Sequence, residues 1–381
     1  MVSDLDLPRD LSEEVLSRIP LTCMRKVGST CKKWNTLSKN RFFANKHLRQ
    51  ESEKAKGFMV VVMMDYSVYL MEVNLSDKDV ESSSIKRHGK LISDQVDVCK
   101  VFHCDGLLVC VSRDQTRLVV WNPYCGKPLW IKAPHRRKIV KRYLYAIGHD
   151  KSSNSHKVLR FRAYYRRPTD FRIYDLSSGS MNSWRVLDIT PPDWRVQDIH
   201  SGVSVNGNAY WLASEYEKSD LEYERTFLVC FDFTRETFGP RLPLPFEHFA
   251  HDTVSLSPVT GGKLAVLFQP WDSLRVKIWV TNKIEPDAVS WESKVFLSVS
   301  LKKSIHHMFQ FMYTGGSFFI DEEMKVAVVF DEEFNHREPM CNLAYIIGVD
   351  GSLKKVNLGE SSHPQFPPHA CSYLPSLFQP N

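Results

Sequence analysis

Four residues close together in the chain carry the donor atoms of a metal site: Cys99, His103, Cys104 and Cys110. Zinc needs such donors to converge on one point, and the usual local signature is a pair of cysteines two to four residues apart, twice over. The spacing here does not fit that pattern. The segment VDVCKVFHCDGLLVC alternates like strands, and neighbours on a strand point to opposite faces. These residues therefore read as structural thiols, with no metal site. His306–His307 reads as a surface or loop pair. The patterns GxSxG and HExxH and the phosphate-binding loop are absent. Acidic pairs such as Glu332–Glu333 lie in polar runs, where solvation accounts for them. No catalytic residue is assigned, and no cofactor is expected.

The remaining chemistry is charge. Residues 127–172 hold 14 Lys/Arg against 2 Asp, a local net of +12, and residues 321–338 hold 7 Asp/Glu against 2 Lys/Arg, a local net of −5. The whole chain carries +6, of which residues 1–56 contribute +5. A nearly neutral remainder with one basic and one acidic sector implies a polarised binding surface. The basic runs KAPHRRKIVKRYLY and RFRAYYRRP also contain aromatics, the mixture that binds nucleic acid. However, Arg160 and Arg162 alternate along a strand pattern, and ordinary solvated edges explain such charges as well. Nucleic acid is not the favoured partner.

The elements that would position these residues follow from periodicity. The 381 residues are 43% hydrophobic, ordinary for a globular chain of one small module and one large domain. The start, MVSDLDLPRD, lacks a signal-peptide pattern, and no run reaches 18 apolar residues, so no membrane span is expected. Nine cysteines without CxxC pairs read as reduced thiols of the cytoplasm or nucleus. From Gly57 the pattern has period two. GFMVVVMM and SVYLMEVN form a hairpin over Asp65–Tyr66, and five quartets of short strands follow from Val96. Asp105–Gly106, Asn206–Gly207, Gly261–Gly262 and Asp350–Gly351 mark turns. Trp130, Trp184, Phe238 and Trp291 open the fourth strands at spacings of 54, 54 and 53. Four strands per unit with a period near 50 is a propeller signature of the kelch type. The first hairpin and the C-terminal segment HACSYLPSL lack partners, and joining them completes a sixth blade and closes the ring.

The N-terminal stretch, Leu7 to Phe43, reads as short helices. Asp10 and Glu13 have capping-box spacing, and Leu11, Val15, Leu16 and Ile19 make an apolar stripe that Pro20 ends. Thr22 caps a second turn with Met24 and Val27, and Ser29 a third helix with Cys31, Trp34 and Leu37 on one side. Forty such residues have too little apolar material for a core, so the stripe must meet something else, either the next domain or a separate protein. The pattern L-P-x-x-L-x-x-E-V-L-x-R-I-P followed by S-T-C-K-x-W-N-x-L resembles the plant F-box. The resemblance implies docking on a Skp-type adaptor, and through it on a cullin and a RING protein, by Leu7, Pro8, Leu11, Val15, Leu16, Ile19, Pro20, Val27 and Trp34. Gly28 departs from the family pattern; a helical glycine costs about 1 kcal/mol relative to alanine. Residues 57–378 are similar to the F-box-associated domain of plant F-box proteins, in pieces such as FHCDGLLVC, VVWNPYCGK, YAIGHD, GVSVNGNAYWLA and VCFDFTRETFGPRLPLPF.

The expected organisation is an all-α F-box at 1–45, a helical linker at 46–56 and an all-β, six-bladed kelch-like propeller at 57–381. The resemblance implies a non-catalytic substrate receptor of a ubiquitin ligase. The alternative class is a stand-alone propeller that binds nucleic acid or another ligand, or an enzyme on that scaffold. Loops after the second and fourth strands of each blade should share one face, and in this chain they are the long ones. Arg136, Arg137, Lys138, Arg166 and Arg167, with Tyr165 and Trp194 as anchors, are the expected contacts to a protein substrate. Glu215, Glu217, Glu222, Glu332 and Glu333 form the acidic loops further round.

Overall fold

In the computed structural model the described residues are 8–19, 27, 30–38, 57–76, 79–91, 96–123, 128–134, 143–163, 167–177, 183–196, 202–215, 226–247, 251–271, 273–301, 309–311, 317–333, 340–363 and 367–373. Two helices, Arg9–Ser17 and Lys32–Ser38, precede six antiparallel sheets. None of the helices among these residues is long and apolar enough to cross a membrane.

The first sheet joins β1 (Gly57–Met64), β2 (Ser67–Asn74) and β3 (Ser84–Lys90) to the last strand of the chain, β26 (His369–Ser372). Sheet two is β4 (Val98–Cys104), β5 (Leu107–Ser112), β6 (Arg117–Trp121) and β7 (Leu129–Lys132). Sheet three is β8 (Tyr143–Asp150), β9 (Ser155–Arg162), β10 (Thr169–Asp175) and β11 (Arg185–Val186). In sheet four, β12 (Trp194–Val196) and β13 (Val203–Val205) share the inner edge of β14 (Asn208–Glu215), followed by β15 (Thr226–Asp232) and β16 (Thr237–Phe238). In sheet five, β17 (Thr253–Val259), β18 (Lys263–Gln269) and β19 (Arg275–Glu285) lead to two outer strands, β20 (Ala288–Trp291) and β21 (Leu297–Ser300). Sheet six is β22 (Ser317–Asp321), β23 (Val326–Glu333), β24 (Cys341–Gly348) and β25 (Leu353–Glu360).

Each sheet is a blade covered on both faces. For that reason its middle strands are continuously apolar: β5 and β24 are buried almost end to end. On β14, Tyr210 and Trp211 are both wholly buried but enter different clusters, because adjacent side chains face opposite neighbours. Six hydrophobic clusters fill the six junctions, including one between blades six and one. An open row of six blades would have five. The sixth shows that the ring is closed.

Closure uses the orphan segments of the sequence. β26 pairs antiparallel with β1 from Val60↔Ser372 to Met63↔His369. Ser317 then ties β26 to blade six, its Oγ donating to Pro368 O (3.1 Å) and accepting from Ala370 N–H (2.6 Å). Turns form where the sequence places them: Asp105–Gly106 and Asn206–Gly207 both have two positive φ values. Asp65–Tyr66 does so without a glycine, at φ 48° and 58°.

The recurring aromatics pin one blade to the preceding one. Trp184 Nε1–H donates to Lys132 O (2.9 Å) and Trp291 Nε1–H to Pro243 O (3.0 Å). Phe238 packs against Phe161 and Phe171 of blade three. Trp130 differs: it is 46% exposed, with the Arg117 guanidinium 5.5 Å over its ring.

Candidate interaction sites

The first helix begins at Arg9, with Pro8 in the cap position and no side-chain cap. Asp10 is therefore not the cap. It lies in the first turn, where its charge complements the helix dipole. Ser12 bonds back to Pro8 O through both N–H (3.0 Å) and Oγ (3.1 Å), which fixes this start. The apolar stripe then divides. Leu16 is buried where the helix meets Lys32–Ser38, and Leu37 is buried opposite. Leu11 and Val15 stay 51% and 41% exposed. Pro8 is exposed, and Ile19, Val27 and Trp34 are half-buried. The Trp34 N–H meets Cys31 Sγ at 3.4 Å, at the start of the second helix. Leu7, Pro20, Thr22, Gly28 and Ser29 lie outside the described residues.

Antiparallel alternation assigns the blade connections to two faces. Asp105–Gly106, residues 151–154, Asn206–Gly207 and residues 260–262 lie on one, as does the start of β1 at Gly57. The opposite face receives the longer connections after the second and fourth strands, together with Asp65–Tyr66. Of the expected contacts, Arg136, Arg137, Lys138, Tyr165 and Arg166 lie outside the described residues, as do Glu217 and Glu222. Arg167 is half-buried and contributes positive charge near Asp193. The Asp193 carboxyl is held below its usual range chiefly by a hydrogen bond from Arg241, whose two nitrogens reach Asp193 (2.7 Å) and Glu215 (2.9 Å).

Three expectations change. Trp194 is no surface anchor: it lies on β12 rather than in a loop, 4% exposed, its ring 5.1 Å from Phe238 in the core between blades three and four. Glu215 and Glu332 are strand residues with internal partners, Arg241 for the first and Ser361 Oγ (2.9 Å) for the second. Arg160 is not a solvated edge but 1% exposed, stacked 3.5 Å from the Tyr143 ring centroid. The sequence reading missed Trp271, 64% exposed on the β18–β19 connection. Asp252, itself 5% exposed, holds its backbone N–H at 2.7 Å, and the His251 ring lies beside it at 5.6 Å. The short stretch QPWD after an apolar strand was the available signal.

Two family models divide the chain. Residues 5–46 match the F-box domain, and residues 59–380 match the F-box associated beta propeller domain. The chain belongs to the F-box proteins with an F-box associated β-propeller. It is 53% identical to the F-box protein At3g19470 of Arabidopsis thaliana, across 99% of this chain and all of that one. It is 49% identical to the F-box/kelch-repeat protein At3g16740 of the same plant, over the full length of both. F-box domains in general bind a Skp-type adaptor within SCF ubiquitin ligases, and this pairing of domains is that of a receptor subunit. Such a subunit contributes binding surfaces, while transfer chemistry belongs to its partners.

Proposed function

We propose that this F-box protein is the substrate-recognition subunit of an SCF-type ubiquitin ligase. Its N-terminal helices dock on the Skp adaptor, and through it on cullin and the RING protein. Its propeller recruits a protein for ubiquitination and degradation. The observation that carries the first half is the pair Leu11 and Val15, large apolar residues left exposed on a helix whose other side is already packed. Such residues serve as anchors in a partner's pocket. The second half rests on the long connections gathered on the face opposite Gly57, with the basic run at Arg136, Arg137 and Lys138 in one of them. Cations there capture an acidic or phosphorylated segment by charge-assisted hydrogen bonds.

The test is co-purification with the adaptor. The full chain should retain it, and Leu11→Asp with Val15→Asp should lose it while the propeller melts unchanged. Pro8→Ala combined with Trp34→Ala should also weaken binding by several kcal/mol, since buried anchors contribute about 2–4 kcal/mol each. Undiminished adaptor recovery with both double variants would remove the assignment.

A further inference from the structure

On the short-turn face, donor atoms from two blades converge. Cys104 ends β4, Asp105 follows in the left-handed region (φ 48°), and His156 comes from β9 of the next blade. His156 Nε2 lies 3.2 Å from Asp105 Oδ2, and Cys104 Sγ lies 3.6 Å from the same oxygen. The three donor atoms all fall within 4.8 Å of one another. Cys104 and His156 are 4% and 3% exposed, whereas the Asp105 side chain is 57% exposed. The His149 ring stands 4.9 Å from that of His156, and His149 and Asp105 both line an open cavity on this face.

We propose that Cys104, Asp105 and His156 bind one zinc-type divalent cation, which joins blade two to blade three. Thiolate, imidazole and carboxylate together form a zinc donor set, and a thiolate disfavours magnesium and calcium. Ligand atoms around a tetrahedral zinc lie about 3.3–3.7 Å apart, given bonds of about 2.0–2.3 Å. The Cys104–Asp105 contact is in that range, the His156–Asp105 contact is just below it, and the Cys104–His156 pair lies within 4.8 Å, so the two side chains close on a common centre when the cation binds. The fourth position faces the cavity and is filled by water or by a turn of His149. Binding replaces two hydrogen bonds to one carboxylate oxygen by three coordination bonds. The Cys104 thiol proton leaves to solvent, and His156 presents Nε2 as a lone pair with its remaining proton on Nδ1. Without the cation, burial keeps Cys104 a neutral thiol, and the His156 hydrogen bond keeps the Asp105 carboxyl low and ionised. Cys99 and Cys110 do not join: Cys110 packs into the cluster between blades one and two, and Cys99 against that between blades two and three.

The full chain, stripped with chelator, is titrated with Co²⁺ and then Zn²⁺. About one equivalent of Co²⁺ should give tetrahedral d–d bands and a sulfur-to-cobalt charge-transfer band, Zn²⁺ should displace both, and either metal should raise the melting temperature. Cys104→Ser should abolish the charge-transfer band, and Asp105→Asn or His156→Gln should weaken binding about tenfold or more. Cys230→Ser, a buried thiol elsewhere, should change none of this. No charge-transfer band in the native chain at stoichiometric Co²⁺ overturns the proposal whatever the variants do. So does a band that survives in a folded Cys104→Ser protein.

Discussion

Lys157 is a buried cation that joins two blades. It is 7% exposed and donates to Asp150 (2.7 Å) and to Glu236 of the next blade (2.8 Å), which also receives Arg185. Burial alone would raise both carboxyls. For Asp150, hydrogen bonds from Lys157, Ser152 and Ser153 outweigh burial; for Glu236, those from Arg185 and Lys157 do, and both carboxyls are held low. A carboxylate with a depressed folded pKa stabilises above its unfolded value, near pH 4, and loses that contribution as pH falls through the folded value. Lys157 is shifted upward, so its contribution is lost only in strong alkali, above about pH 10. Stability should therefore be flat near neutrality and fall steeply below about pH 4 in urea titrations. Lys157→Ala should cost about 3–5 kcal/mol at pH 7, because it leaves Asp150 buried without its cation. It should also flatten the acid limb, and an unchanged limb would show that the network is not the source. Trp184→Phe is the milder test. It keeps an aromatic side chain but removes the bond to Lys132 O and part of the indole packing on Tyr174, which should cost at least about 1 kcal/mol by chemical denaturation.

The strands were the most legible elements. Short apolar runs bounded by Asp–Gly, Asn–Gly and Gly–Gly turns located the blades, although β12 was not anticipated and the expected strand SWESKVFL spans the gap between β20 and β21. Closure was legible too, since β1–β2 and β26 were left over and an unpaired edge is unfavourable. Other features were hidden. Asp10 had capping-box spacing, but Pro8 and Ser12 set the helix start two residues earlier than that spacing implied. Trp194 reads as an anchor because it is a large residue in a long connection, yet β14 has an inner edge long enough to recruit β12 there. His156 could not be joined to Cys104 from sequence, because the contact is between blades. The element most open to test is β26. Deleting His369 to Asn381 removes its pairing with β1 and the Tyr373 N–H bond to Met59 O (3.0 Å), and it exposes Val61 and Met63. The truncated protein should aggregate or melt far below the full chain in thermal scanning; coincident melting curves would contradict ring closure by this strand.

For the whole molecule, topology puts the chain's entry to the ring and its longer connections at opposite ends of the strands. The chain enters the ring at Gly57 and leaves it after β26, both on the short-turn face, because β1 and β26 are antiparallel neighbours. The strand ends that lead into the longer connections lie on the other face. Much of the charge of the described ring is already matched within it: Arg241 serves Asp193 and Glu215, and Lys263 serves Glu292 and Glu322. The run HRRK at 135–138 lies outside the described residues, in the chain between blade two and blade three. If substrate binds there, Arg136→Glu, Arg137→Glu and Lys138→Glu together should lose substrate in pull-downs at physiological salt, while adaptor recovery and melting temperature stay as in the native chain. Lys151→Glu with Lys283→Glu reverses two charges on the short-turn face, breaks only the exposed Lys283–Glu285 surface pair, and should leave capture intact. Ionic strength separates a charge effect from misfolding: capture by the native chain should weaken steadily with added salt. Equal substrate recovery from the triple variant and the native chain would move the substrate site elsewhere, with the exposed Trp271 on the same face as the next residue to change.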